Sequence, residues 1–242
     1  MAHFYLVEEL ESAAVGDRVT VTGSEARHAV TVSRLAAGET IAVGNGAGLV
    51  VTGTVETAEH TSLVVAVTSV VTEERRTPAI FLAQALAKGD RDELAVQVAT
   101  ELGIDGVIPW SAARSISRWE GAKVAKGRDR WTAVVREATK QSMRAWIPDV
   151  LDLVSTRQLA HMTASVRMIV LEPTAELALS DLEPDERDII LVVGPEGGVA
   201  PHELDELAAA GASVVRLGPE VLRTSTAGPA ALAVLNVALG RW

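Results

Sequence analysis

The run Ile189-Ile190-Leu191-Val192-Val193, broken at Gly194-Pro195-Glu196-Gly197-Gly198, decides how this chain is read. Five consecutive apolar residues are the pattern of a strand covered on both faces, as in a parallel sheet, and not the alternation of a half-exposed strand. Three glycines in the next five residues remove Cβ bulk and permit positive φ, so a ligand can approach bare backbone N–H groups. A helix is expected from Pro201, a residue tolerated in a first turn. Leu204, Leu207 and Ala208 share one of its faces, and its N-terminus points at the glycine turn.

The plan repeats. The strand Ser213-Val214-Val215-Arg216-Leu217 gives way to Gly218-Pro219-Glu220, then Leu222-Arg223-Thr224-Ser225-Thr226-Ala227-Gly228. Pro229 is expected to limit where the last helix begins, with Ser225 or Thr226 as its cap. From Ala230 to Leu239 that helix is apolar all round except for Asn236, which predicts burial on every side. Either turn alone is ordinary strand-to-helix punctuation, and neither is the dinucleotide fingerprint nor a P-loop, because the glycine spacing differs and Gly-Lys-Ser/Thr is missing. The pair is more specific. Arg167 to Leu171 is a third apolar strand, ending in Glu172-Pro173-Thr174. Ligands gather at the carboxyl ends of parallel strands, so the ends at Leu171, Gly194 and Leu217 are expected to form one site.

The chain has 242 residues and 48% hydrophobic content, enough for one large or two small globular, soluble domains. No apolar run approaches the roughly 20 residues that span a bilayer. Met1-Ala2-His3-Phe4-Tyr5 lacks the basic and apolar regions of a signal peptide. With no cysteine there is no disulfide, thiolate metal site or cysteine nucleophile, which fits a cytoplasmic protein. The net charge of −10 argues against indiscriminate coating of nucleic acid, but the charge is uneven. Residues 111 to 144 carry 9 basic and 3 acidic side chains, while the segments on either side carry a net −8 each. One basic island sits in an acidic chain.

Residues 1 to about 70 read as short strands, His3–Val7, Arg18–Thr22, Thr40–Val43, Leu49–Val55 and Ser62–Val70, separated by turns such as Gly44-Asn45-Gly46, a spacing that suggests a small β-barrel. A helix capped by Ser24 is expected over Ser24–Arg34; from the residues alone, its His28 and Arg34 are a solvated face. Glu73-Glu74-Arg75-Arg76-Thr77-Pro78 reads as a linker. Ala79–Ala85 then opens a second domain, and Lys88-Gly89-Asp90 leads into a helix capped by Asp90 with Leu94, Val98 and Leu102 on one stripe. After the strand Ile104–Pro109 the basic island opens at Arg114 and Arg118. A helix over Arg128–Arg144 would bury Trp131, Val134, Val135 and Ala138 and carry Arg136, Lys140 and Arg144 on the opposite side. Three like charges four residues apart repel one another, which favours an anionic partner such as RNA.

Leu191–Gly198, Leu217-Gly218 and Leu222-Arg223-Thr224 resemble the RsmE family of SPOUT-class RNA methyltransferases. Lys88-Gly89-Asp90, Ala99-Thr100-Glu101-Leu102-Gly103, Glu137-Ala138, Gln141-Ser142 and Arg144 are similar to further segments of that family. The resemblance implies an α/β protein: a PUA-like, RNA-binding β-barrel over residues 1–72, then a trefoil-knotted SPOUT methyltransferase domain over 73–242 with knot and cofactor site in 167–242. It implies methylation of a uridine at N3 in 16S rRNA, naked or in the small ribosomal subunit, with S-adenosylmethionine as donor, no metal, no membrane and a homodimer. The cofactor would lie at Leu171, Glu172, Gly194, Glu196, Gly197, Leu217, Gly218, Leu222, Thr224 and Ala227. RNA would meet His28, Arg34, Lys88, Arg114, Arg118, Arg136, Lys140 and Arg144. Loss of the N3 proton leaves negative uracil oxygens, a task for an arginine, with Arg223, Arg136 and Arg144 as catalytic candidates. No general base stands out, and Glu196 could equally be tied to loop amides. Where family members often carry Arg and Glu, this chain has Glu220 and Ser225. Action on tRNA or on ribose, a noncatalytic RNA-binding module and a nucleotide-using metabolic enzyme are the other readings; the last leaves the basic island unexplained.

Overall fold

The structure, a computed structural model, describes residues 3–183 and 185–242; Met1-Ala2, part of the stretch read above for a leader, lies outside them. The chain divides into two compact units, Met1–Arg75 with Thr139–Ile147, and Arg76–Ala138 with Pro148–Trp242.

In the first unit, period-2 alternation makes strands with one buried face, as in Arg18-Val19-Thr20-Val21-Thr22, whose valines are buried and whose other residues are exposed. Strands β1 (His3–Leu6), β2 (Arg18–Thr22), β3 (Thr40–Gly44), β4 (Leu49–Glu59) and β5 (Ser62–Thr72) form one sheet in the order β1-β3-β4-β5-β2, antiparallel except for β1 on β3. The helix expected over Ser24–Arg34 is instead α1 (Gly23–Arg27) followed by a single π turn, His28–Val32. Ser24 lies inside α1, and the cap position belongs to Thr22, whose side chain makes no capping bond. The wider turn closes with Ser33 N–H on His28 O, lets Ala29 and Leu35 both reach the core, and ends at Arg34 with φ 55°. The segment Thr139–Ile147 belongs here because Gly48 N–H bonds to Ala145 O, Ile147 N–H to Gly46 O and Trp146 Nε1 to Glu73 O. Gly48, at φ 98°, admits this approach: a Cβ there would stand 2.8 Å from the Trp146 ring.

The second unit is a parallel sheet. Its elements are β6 (Ile80–Ala85), α2 (Arg91–Glu101), β7 (Gly106–Ser111), α3 (Ala122–Gln141), β8 (Asp149–Val150), β9 (Val154–Ser155), α4 (Thr156–Met162), β10 (Arg167–Leu171), β11 (Ile189–Val193), α5 (Pro201–Ala209), β12 (Ser213–Val215) and α6 (Thr224–Ala238). Strand order is β12-β10-β11-β6-β7-β8, with β9 also on β7 and every pair parallel. All five residues of β11 are buried, as a strand covered on both faces requires. The α/β class and parallel sheet expected from the sequence are those found. No helix among the described residues is long and apolar enough to cross a membrane.

Three helices of this second unit also differ from expectation. Helix α2 buries Ala95, Val96, Ala99 and Thr100 and leaves Leu94 48% exposed. Its small-residue face packs on α6, where large side chains would hold the axes apart. Asp90 occupies the cap position with φ 58° and no capping bond; Asp92 takes the Ala87 and Glu93 N–H groups instead. Helix α3 stops at Gln141, so Arg144 is off the helix, and Arg136, Lys140 and Arg144 are half-buried, not on a solvated ridge. Helix α6 begins at Thr224 with Arg223 as cap residue and takes Pro229 inside, earlier than expected. It is not buried all round: Val234 and Val237 are exposed, while Asn236 is fully buried and donates to Leu102 O at 2.8 Å.

The chain end is tied back to the start of this sheet. Arg241, whose side chain is 6% exposed, pairs with Asp105 at 3.1 Å and donates to Pro78 O, and the same carboxyl accepts from Ile80 N–H. Removing one partner of a buried pair strands the other. Arg241→Met is expected to lower unfolding stability by about 3 kcal/mol in urea titration. Arg187→Met, which breaks an exposed pair with Asp185, should leave the midpoint where it was.

Candidate functional site

Chain order and strand order part company at β10, because the chain passes from β10 to β11 on one side and then crosses to β12 on the other. The ends of these three neighbouring strands surround a cavity of about 460 Å³. Leu171 and Glu172 form its first wall, Gly194 and Glu196 its second, and Leu217, Gly218, Leu222, Thr224 and Ala227 its third. Gly197 is turned aside: its carbonyl accepts from Arg114 Nη1 at 3.0 Å, and a Cβ there would be 3.3 Å from Arg114 Cβ.

The walls combine apolar side chains and glycine backbone with the charged groups of Arg91, Glu172, Glu196, Glu220 and Arg223, and the volume is that of a small-molecule site. Gly218 faces open space, the nearest atom to a Cβ there being Glu220 Oε2 at 3.6 Å. At the start of α6 the first hydrogen-bonded amide is that of Thr226, so the helix offers unbonded N–H groups beside the cavity. These features fit an adenosyl group with a polar tail.

Glu196 does take loop amides. Its Oε1 accepts from Lys88 N–H at 3.3 Å and from Arg91 Nη1 at 2.9 Å, and Arg91 lines the cavity too. Burial alone would raise its pKa, but the backbone amides and the Arg91 guanidinium more than offset this and hold it below the ordinary carboxyl value.

The basic residues are largely engaged. Arg114 also reaches Val199 O, and Arg118 donates to Ala112 O and Ala113 O. Their loop is held by Glu203, 2% exposed, which accepts from Ala113 N–H at 2.9 Å and from the Thr156 hydroxyl at 2.6 Å; Thr156 in turn accepts from Trp110 Nε1. In the first unit, Lys140 pairs with Glu25 at 3.1 Å, with side chains 13% and 9% exposed. His28 opens the π turn with its ring edge-on to Tyr5, and Arg34 closes it. Arg223 differs: it lines the cavity, is exposed, and its guanidinium makes no hydrogen bond or ion pair with another described residue. Among the described residues no group of three or more His, Cys, Asp or Glu could hold a metal.

Arg91, Gln84 and Glu203 were missed in the sequence. Gln84 carried a signal, as the one polar residue in the run Ile80–Ala87. Arg91 and Glu203 looked like ordinary helix charges.

Residues 73–236 match the model of an RNA methyltransferase domain, and residues 21–68 that of an RNA methyltransferase PUA domain. The Ribosomal RNA small subunit methyltransferase E of Mycobacterium bovis is 42% identical over 233 residues, 94% of this chain and 89% of the relative. That of Bacillus subtilis is 31% identical over 227 residues, 90% of this chain and 89% of the relative. Among solved structures, the Ribosomal RNA small subunit methyltransferase E from Neisseria gonorrhoeae bound to S-adenosyl methionine has a TM-score of 0.87 at 28% identity, covering 98% of each chain.

Because the folded-state pKa of Glu196 is depressed, its tie to Arg91 contributes stability above the ordinary value and loses it as pH falls through the folded value. Melting scans from pH 7 to pH 3 should show the parent losing ground against Glu196→Gln in acid. Parallel curves would count against the tie.

Proposed function

Because the chain belongs to the ribosomal RNA small subunit methyltransferase E family, we propose that this S-adenosylmethionine-dependent rRNA methyltransferase acts at N3 of a uridine in 16S rRNA. The observation that carries the reading is the convergence of three strand ends and two glycine turns on one cavity, with an unengaged arginine at its edge. S-adenosylmethionine, when bound, supplies a methyl group on a sulfonium that needs no covalent help from the protein.

The residues then have three tasks: to hold the donor, to orient the base and to stabilise the charge left when the N3 proton departs. Apolar packing from Leu171, Leu217 and Leu222, with backbone groups of the Gly194 turn and the start of α6, serves the first. Arg223 serves the third better than Arg136 or Arg144, because those two are half-buried and already engaged. Lys88, Arg114, Arg118 and, in the barrel unit, His28 and Arg34 are the proposed RNA contacts, with Arg136, Lys140 and Arg144 reduced to structural cations that add to the local field. The trefoil knot in 167–242, the domain boundary at 72/73, a cytoplasmic location and the choice between naked 16S rRNA and the small subunit belong to the same reading. So does a homodimer, supported by the apolar surface that Val234, Val237 and Trp242 leave exposed.

Incubation with labelled S-adenosylmethionine and naked or ribosome-assembled 16S rRNA, followed by nucleoside analysis, should yield 3-methyluridine. Label in tRNA or on ribose would overturn the assignment. Arg223→Ala should lower kcat by about 100-fold with donor affinity nearly unchanged; an unaltered kcat would remove Arg223 from the chemistry. Light scattering at micromolar concentration should give twice the chain mass, and a monomer would count against the dimer.

A further inference from the structure

Gln84 is fully buried near the end of β6, in a strand that otherwise carries only apolar residues. Its Nε2 donates to Thr224 Oγ1 at 2.8 Å and to Ala85 O at 3.1 Å. Since the Thr224 oxygen accepts that bond, its own proton goes to Gly194 O, 2.7 Å away. The direction of the chain is therefore forced: amide N–H to hydroxyl, hydroxyl to carbonyl.

The bonds close a ring. Gln84 stands opposite Val193 in the parallel ladder, Val193 is bonded to Gly194, and Gly194 returns through Thr224 to Gln84. Thr224 is the first residue of α6, and both it and Gly194 line the cavity, whereas Gln84 does not. Two short hydrogen bonds joined through one ladder pairing leave those atoms little freedom. Helix α6 is also pressed close to the sheet here, since a Cβ on Gly228 would lie 2.9 Å from Leu82 Cδ1.

The side chain is a poor choice for packing alone. Gln84 Oε1 is buried without a hydrogen-bond partner, a cost that an aliphatic residue of similar volume would not carry. What the amide supplies, and a hydrocarbon cannot, is the donor that orients Thr224.

We propose that Gln84 is a positioning residue of the cofactor pocket: through Thr224 it locks the start of α6 to the Gly194 turn and thereby fixes two of the three cavity walls and the point from which Arg223 leaves the chain. The inference rests on the cavity being the S-adenosylmethionine site.

The test uses the full chain and titrates S-adenosylmethionine calorimetrically. Thr224→Ser keeps the hydroxyl and should bind within twofold of the parent. Thr224→Val and Gln84→Met keep the shapes, remove the hydroxyl or the donor, and should each weaken binding about tenfold. The two act through one bond chain, so the double variant should be no worse than the poorer single one. In turnover assays KM for S-adenosylmethionine should rise while KM for RNA stays put. If Thr224→Val and Gln84→Met melt earlier yet bind within twofold of the parent, or if their losses simply add, the lock is structural only and the proposal fails. Should Gln84→Met not fold, Gln84→Leu, which also lacks the donor and lies off the cavity wall, takes its place. Gly218→Trp, which fills the cavity, separates the two readings: if it leaves affinity intact, the cavity is not the cofactor site; if it abolishes binding and Thr224→Val does not weaken it, only the role of Gln84 falls.

Discussion

Parallel pairing governs the second unit. Two parallel neighbours cannot be joined by a hairpin, so the chain must return to the same starting edge before it lays down each new neighbour. All carboxyl ends then point one way, and the turns that follow them crowd one side of the sheet. With β10 standing between β11 and β12, two consecutive turns open on either side of a third strand end. Residues that are otherwise ordinary turn formers, Gly194, Pro195 and Gly198 in one turn and Gly218 and Thr224 in the other, become walls of one cavity because of that order.

Electrostatics adds a second layer. The chain is acidic overall, yet much of the positive charge concentrated in residues 111 to 144 is engaged with groups of the chain itself. Arg114 grips backbone carbonyls at the glycine turn and Arg118 those of its own loop, Arg128 pairs with Asp152, and Arg130 pairs with Glu93. A guanidinium has five donors, so a group that holds a loop with two of them still has others, and its charge, to present. The same arginines can thus brace the turn and supply the field that draws an anionic substrate.

Much of this was legible. The five strands of the barrel unit followed from alternation and turn residues, and continuous apolar runs marked β10 and β11 with their boundaries. Nine of the ten residues read as cofactor contacts lie on the cavity walls, because glycine turns after apolar strands announce themselves locally. What was not legible depends on partners distant in sequence. The helical period placed Leu94 on a buried stripe, but α6 needed the small-residue face of α2. Lys140 read as a ridge cation awaiting an anionic partner such as RNA, whereas Glu25, far away in the chain, pairs with it. Pro229 sits inside α6 although a proline was expected to delimit the start, since the bonds at Thr224 and Arg223 draw the helix back by several residues.

The grouping of Thr139–Ile147 with the first unit bears on the order in which the chain is made. The barrel strands are complete by Thr72, and Glu73 N–H already reaches Gly48 O, but Gly48 N–H and Gly46 O find their partners at Ala145 and Ile147. During synthesis, everything from Ile80 through α3 must emerge before the earlier unit can close its last bonds. The two halves therefore cannot be treated as successive beads: a fragment cut at the apparent linker lacks a piece of its own first unit, and maturation of the N-terminal part waits on the middle of the chain.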